Sequence, residues 1–188
     1  MLFRSSSDQV QVTQQLQQLE IREGELHLRF FVTPNRELAL SAASVREVIS
    51  APLDRITPIP NTSPLLLGTL NLRGRVVWVA DLGQLLGEPT AVNTDRSEIP
   101  VIAIEEQETL VGFAVDQVVG MEWLNAERMQ PLTQVSDSRT PFLKGEWVLD
   151  AQTTQCLQLL DQKAILQDRK STRLNSSHSG ESRMPSSA

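Results

Sequence analysis

From residue 25 onward the chain alternates, with Leu26, Leu28 and Phe30 on one side and Glu25, His27 and Arg29 on the other. A period of two marks an extended strand with one buried face. On that pattern His27 belongs to the polar side and is expected to be solvated. Thr33-Pro34-Asn35 supplies a turn, and residues 37–41 return as a second strand, so the pair predicts a hairpin. Residues 45–49 form a short β-rich segment. Pro52, Pro58, Pro60 and Pro64 follow; proline denies a sheet its N–H donor, so this stretch reads as connecting structure.

Residues 65–72 predict another strand, with Gly68 marking a bulge or a close backbone approach. Arg73-Gly74 makes a turn into residues 75–81, where Val76, Val77, Trp78, Val79 and Ala80 are apolar in succession. An unbroken apolar run means cover on both faces, so this strand is central or lies where two sheets meet. Asp81 ends it and caps a helical turn over 82–86. Polar residues 88–98 read as a linker. Strands then recur at 101–104 and 110–115 around the acidic turn Glu105-Glu106-Gln107-Glu108, and again at 118–124, 142–149 and 155–160. Residues 125–141 are loop-rich, and 161–166 read as a final short helix.

The N-terminal stretch has a different period. Residues 8–22 are Gln-rich, and Val12, Leu16 and Leu19 recur at helical spacing behind Ser7 or Asp8 as a cap. A short amphipathic helix is predicted, packing on the body or recruiting a partner. About ten short strands punctuated by turn residues argue for an all-β protein, and their arrangement in two halves suggests two small barrels packed together. The chain divides into an extension at 1–24, a folded region at 25–167 with lobes near 25–87 and 99–167, and a Ser-rich tail at 168–188.

Composition narrows the function. The 188 residues are 40% hydrophobic, enough for a globular interior, yet no apolar run approaches the roughly 20 residues of a membrane helix. Met1-Leu2-Phe3-Arg4-Ser5 lacks the apolar stretch of a secretory signal, and the single Cys156 excludes an intrachain disulfide; a cytoplasmic location fits both. The formal charge is −6. The stretch 170–188 has little to bury and reads as disordered, either a native flexible tail or vector-derived sequence. Without it 14 basic side chains face 22 acidic ones, a balance near −8, which disfavours nucleic acid as a partner.

Catalytic constellations are thin. His27 and His178 lie apart, and Cys156 sits within a β-rich run. No phosphate-cradling glycine loop, serine elbow or metal-spaced cluster is present. Asp81-Leu82-Gly83 follows an apolar strand as the Asp-Thr-Gly of a homodimeric aspartic protease does, but Leu82 replaces the hydroxyl residue; strand-ending and capping explain Asp81 better. Arg73 and Arg75 flank Gly74 at a hairpin, which reads either as a solvated turn or as a guanidinium presented to a partner's carboxylate.

The run Gly68-Thr69-Leu70-Asn71-Leu72-Arg73-Gly74-Arg75-Val76-Val77-Trp78-Val79-Ala80-Asp81-Leu82 resembles the signature of the CheW family of chemotaxis coupling proteins, G-x-x-N-L-R-G followed by an apolar strand and D-L. Three further blocks resemble that family in the right order. They are Val45-Arg46-Glu47-Val48-Ile49 with Ile56-Thr57-Pro58-Ile59-Pro60, then Val111-Gly112-Phe113-Ala114-Val115-Asp116-Gln117-Val118, then Phe142-Leu143-Lys144-Gly145 with Leu157-Gln158-Leu159-Leu160-Asp161. Trp78 stands where the family usually has proline, and Ser97-Glu98 where many members have an arginine. Some cyanobacterial motility and phototaxis members are similar around Val77-Trp78-Val79.

The resemblance implies two five-stranded SH3-like barrels around a shared hydrophobic seam. It implies a non-enzymatic adaptor without a cofactor, joining the regulatory domain of a CheA-type histidine kinase to the cytoplasmic tip of a methyl-accepting chemoreceptor. By motif position it assigns receptor binding to Arg73, Asn71, Gly68 and Glu47, and kinase binding to Val45, Val48, Ala42 and Leu28. Neither nucleic acid nor membrane insertion belongs to this picture. A stand-alone small β-barrel that binds another protein or a ligand is the alternative.

Overall fold

Among the described residues ten strands form, with bounds close to those the alternation predicts. The computed structural model describes residues 24–106, 109–133, 140–150 and 155–171. The predicted N-terminal helix and the Ser-rich tail beyond 171 lie outside the described residues. In chain order the strands are β1 (Glu25–Thr33), β2 (Arg36–Ser41), β3 (Val45–Pro52), β4 (Leu66–Leu72), β5 (Arg75–Asp81), β6 (Glu98–Glu106), β7 (Thr109–Ala114), β8 (Gln117–Leu124), β9 (Leu143–Asp150) and β10 (Gln155–Leu160). Helix α1 (Leu82–Leu85) follows β5, and α2 (Gln162–Ser171) follows β10, running past the predicted 161–166. None of the helices among the described residues is long and apolar enough to cross a membrane.

The strands assemble into two five-stranded sheets, ordered β3-β6-β7-β5-β4 and β8-β1-β2-β10-β9. Neither sheet is a continuous half of the chain. The first takes β3, β4 and β5 from the first half and β6 and β7 from the second; the second sheet takes β1 and β2 with β8, β9 and β10. Position by position the wiring is the same. Each sheet has three antiparallel pairings and one parallel pairing, β5 with β7 and β10 with β2. The expected lobes at 25–87 and 99–167 are therefore equivalent halves that exchange strands, because a strand's alternation specifies a buried face and not its neighbour.

Each sheet curls closed at the same place. Thr57 and Thr69 exchange backbone hydrogen bonds of 2.8 and 2.9 Å, joining the chain after β3 to β4; Gln130 and Glu146 do the same, joining the chain after β8 to β9. Gly68 permits the first closure. Its φ is +148°, and a Cβ there would lie 2.2 Å from the Thr57 carbonyl oxygen, so the predicted bulge and close approach both occur.

Three apolar clusters result. Ala51, Leu70, Val79, Ile99 and Val101 fill the first barrel. Ala39, Leu124, Trp147 and Leu157 fill the second. The largest lies between the barrels, where Leu28, Phe30, Leu38 and Leu40 meet Ile102, Ile104, Val111 and Phe113. The two short helices add Leu85, Ile165 and Leu166 to this seam. The whole arrangement is that of two SH3-like barrels.

The expectation that His27 is solvated fails. His27 is 2% exposed, its ring lies 5.4 Å from that of Trp147 in an edge-on contact, and its Nδ1 is 2.8 Å from the Glu25 carbonyl oxygen. The face of β1 opposite the seam looks into the second barrel instead of solvent. Alternation alone had marked the more apolar side as buried; closure of the sheet buries both.

Candidate functional site

Leu72-Arg73-Gly74-Arg75 turns β4 into β5. Arg73 and Gly74 have φ of +50° and +83°, two consecutive left-handed residues, which is how a two-residue hairpin turn matches the twist of its strands. Asn71 fastens the turn, its Oδ1 accepting a 2.8 Å hydrogen bond from the Gly74 N–H. A non-glycine residue at positive φ is strained. Here the positive φ falls on the residue that carries the guanidinium.

That guanidinium lands on Glu47 of β3. Arg73 Nη2 donates to Glu47 Oε1 at 2.9 Å and Nε to Oε2 at 3.1 Å, a two-pronged pair. The Arg73 side chain nevertheless remains 80% exposed, against 25% for Glu47. The hydrogen bonds from Arg73 hold the Glu47 carboxyl below the usual carboxylate range, against the opposing effect of desolvation. The charges continue across the barrel wall. Arg75 Nη1 donates to Glu105 Oε1 at 2.7 Å, and Arg46 Nε lies 3.5 Å from Glu105 Oε2. Arg75, chiefly through that hydrogen bond, lowers the Glu105 carboxyl in the same way. Three arginines and two glutamates thus leave one positive charge at the tip of a chain whose net charge is −6.

The structure brings Arg73, Asn71 and Glu47 together. Gly68, from the same motif, is buried beneath Thr57, where it shapes the barrel and presents no contact surface. Of the apolar residues, Val48 on β3 is 38% exposed, between the exposed Arg46 and Ser50. Val45 is half-buried against the seam, and Ala42 is half-buried in the turn before β3. Leu28 is a correction. At 2% exposure it belongs to the seam core and offers no surface to a partner, because β1 runs between two other strands with its apolar face on the opposite barrel.

Arg46, Glu105 and the exposed Val76 were not singled out from the sequence, although they border the hairpin tip. Arg46 and Glu105 meet only because β3 pairs with β6, a long-range pairing that no local pattern reports. The possible catalytic carboxylate is committed to structure. Asp81 Oδ1 accepts from the Gln84 N–H at 3.0 Å and Oδ2 from the Val92 N–H at 2.7 Å, so it caps α1 and ties down the following loop.

The description "CheW-like domain" matches residues 28–170 of the chain. The chemotaxis protein CheW of Thermotoga maritima is 30% identical over 122 residues, covering 64% of this chain and 76% of that protein. The probable chemotaxis protein CheW of Rhizobium etli is 30% identical over 131 residues, covering 69% and 82%. Protein PilI of Pseudomonas aeruginosa is 30% identical over 118 residues, covering 62% and 60%. Among solved structures, the scaffolding protein TtCheW of Thermoanaerobacter tengcongensis superposes with a TM-score of 0.62 at 22% identity, covering 73% of this chain and 89% of that one.

Proposed function

The chain belongs to the CheW-like domain family, and we propose that it is a non-enzymatic adaptor coupling a CheA-type histidine kinase to the cytoplasmic tip of a methyl-accepting chemoreceptor. The observation that carries this reading is the Arg73 tip. A guanidinium held at a rigid turn, mostly exposed and fork-paired to a carboxylate of its own chain, is set up to exchange that carboxylate for one on a partner. Exposed ion pairs contribute little to stability, so the exchange costs the fold little. Asn71 holds the turn, and Glu47 is both the resting partner and a second recognition group. Val48, with the half-buried Val45 and Ala42, is the apolar contact for the kinase regulatory domain.

Calorimetry of the full chain with that kinase domain, alone and in the presence of receptor, tests the proposal. Binding at micromolar affinity or tighter is expected, about −8 kcal/mol. Val48→Asp is expected to abolish it in a folded protein, whereas Arg73→Glu leaves kinase binding intact and lowers receptor-dependent kinase activation. Absence of kinase binding by well-folded wild type sinks the adaptor reading; unchanged activation with Arg73→Glu sinks the assigned receptor site.

A further inference from the structure

The outer strands of the two sheets differ in what they expose. Sheet edges are usually guarded by charge, proline or short length. The edge strands of the first sheet, β3 and β4, expose a single large apolar side chain, Val48. The edge strands of the second, β8 and β9, expose Met121, Trp123, Val148 and Leu149 at 37 to 53%. Val119 of β8 stands apart from this face, because the bulge at that position shifts the register between Val118 and Gly120. Trp123, Val148 and Leu149 line one groove of about 670 Å³. Trp147 donates its Nε1–H to the Asn125 carbonyl oxygen at 2.8 Å, which ties β9 to the chain leaving β8 and holds the groove in shape.

We propose that a second copy of the chain covers this face, in a twofold dimer that brings together β8, β9 and the segment 125–130 of both copies. Charge selects that occupant. Glu127 and Arg128 stand side by side on the groove's rim, both exposed, and neither has an ion-pair partner among the described residues. The third rim charge, Glu122, is already taken by Arg29.

One unmatched carboxylate beside one unmatched guanidinium is the pattern that a twofold axis satisfies. In an isologous contact Glu127 of each copy meets Arg128 of the other, and both pairs form at once. An unrelated partner would have to carry the same two charges in reverse order; a second copy carries them already. The apolar part suits the same contact, since tryptophan and methionine are enriched where interfaces exclude water. A standard interface takes about 20–30 residues from each partner, and this face is smaller, so a dissociation constant of about 10–100 µM is expected.

Sedimentation equilibrium of the full chain from about 5 to 500 µM tests the dimer. A monomer–dimer equilibrium is expected. Glu127→Arg sets arginine against arginine at both symmetry-related contacts and is expected to weaken the dimer roughly tenfold. Adding Arg128→Glu to it reverses the pattern in both copies and is expected to restore the wild-type constant. Trp123→Ser, in a protein that still unfolds cooperatively, is expected to weaken the dimer at least roughly tenfold. A chain that stays monomeric throughout overturns the proposal. So does a dimer that Glu127→Arg or Trp123→Ser leaves unmoved, or one that the charge-swapped double variant fails to restore. Assembly that continues beyond two copies overturns it as well, because a twofold contact closes on itself.

Discussion

Gly68 in the first barrel and Gly145 in the second occupy the same step of the same wiring, yet they are held with different tightness. A Cβ on Gly68 would strike the Thr57 carbonyl oxygen at 2.2 Å, and the residue is left-handed; a Cβ on Gly145 would meet Met129 Cγ at 2.8 Å and the Gln130 carbonyl oxygen at 2.9 Å. Both positions face a backbone carbonyl, but the approach is 2.2 Å at Gly68 against 2.9 Å at Gly145, where the Met129 side chain can also move aside. The caps repeat the contrast. Asp81 is buried and binds two backbone N–H groups, one of them 11 residues on; Asp161 is half-buried, accepts from the nearby Lys163 and Ala164 N–H groups and has the Lys144 ammonium 3.9 Å away. The first barrel, which carries the charged hairpin tip, is the more rigidly fastened. A turn that displays a side chain to a partner gains from a frame that does not move. The second barrel carries the open apolar face, a property that depends on surface and not on fixed geometry.

The largest effect that sharpens this contrast is at the closures. Gly68→Ala is expected to cost about 3–5 kcal/mol, combining overpacking against backbone with left-handed strain. Gly145→Ala is expected to cost about 1–3 kcal/mol. Chemical denaturation of both variants measures the difference, and equal losses would remove the asymmetry between the barrels.

Next come the caps. Asp81→Ala removes a helix cap and strands a buried N–H group, for about 3 kcal/mol in total. Asp161→Ala removes a cap and a surface ion pair with Lys144, together for about 1 kcal/mol. Thermal melts in which the two variants shift equally would show that burial of Asp81 adds nothing.

The smallest effect is at the tip. Because Arg73 holds the Glu47 carboxyl below its unfolded value near 4.3, the pair's contribution is complete above that value and is lost as pH falls through the folded one. Carboxyl NMR titration is expected to show Glu47 ionising below the ordinary glutamate range, and Arg73→Gln to move it back. The melting temperature at neutral pH should hardly change, since Arg73 is 80% exposed and the pair lies at the surface. A Glu47 titration indifferent to Arg73 would mean that the fork is not populated in solution.

Several features of the site were legible in the residues themselves. Asn71-Leu72-Arg73-Gly74 announces a tight turn bearing a guanidinium, and Asp81 before an apolar helical turn announces a cap; both occur. Other features were not. Glu47 and Arg73 are 26 positions apart, and Glu105 lies 30 beyond Arg75, so nothing local links them. Leu28 and Val48 both look like candidate contact residues in the sequence, yet one faces the seam and the other solvent.

The sequence by itself determined the ten strands, their turns, the closing glycine of β4 and the helical turn after Asp81, because alternation, backbone freedom and capping act within a few residues. Tertiary structure alone decided which strands share a barrel, and with that the burial of His27 and the meeting of three arginines with two glutamates at one tip. The physical reason is that an alternating strand specifies a face to bury but not the surface that buries it. In this chain the two halves exchange strands, so the neighbour is supplied from the far end of the sequence.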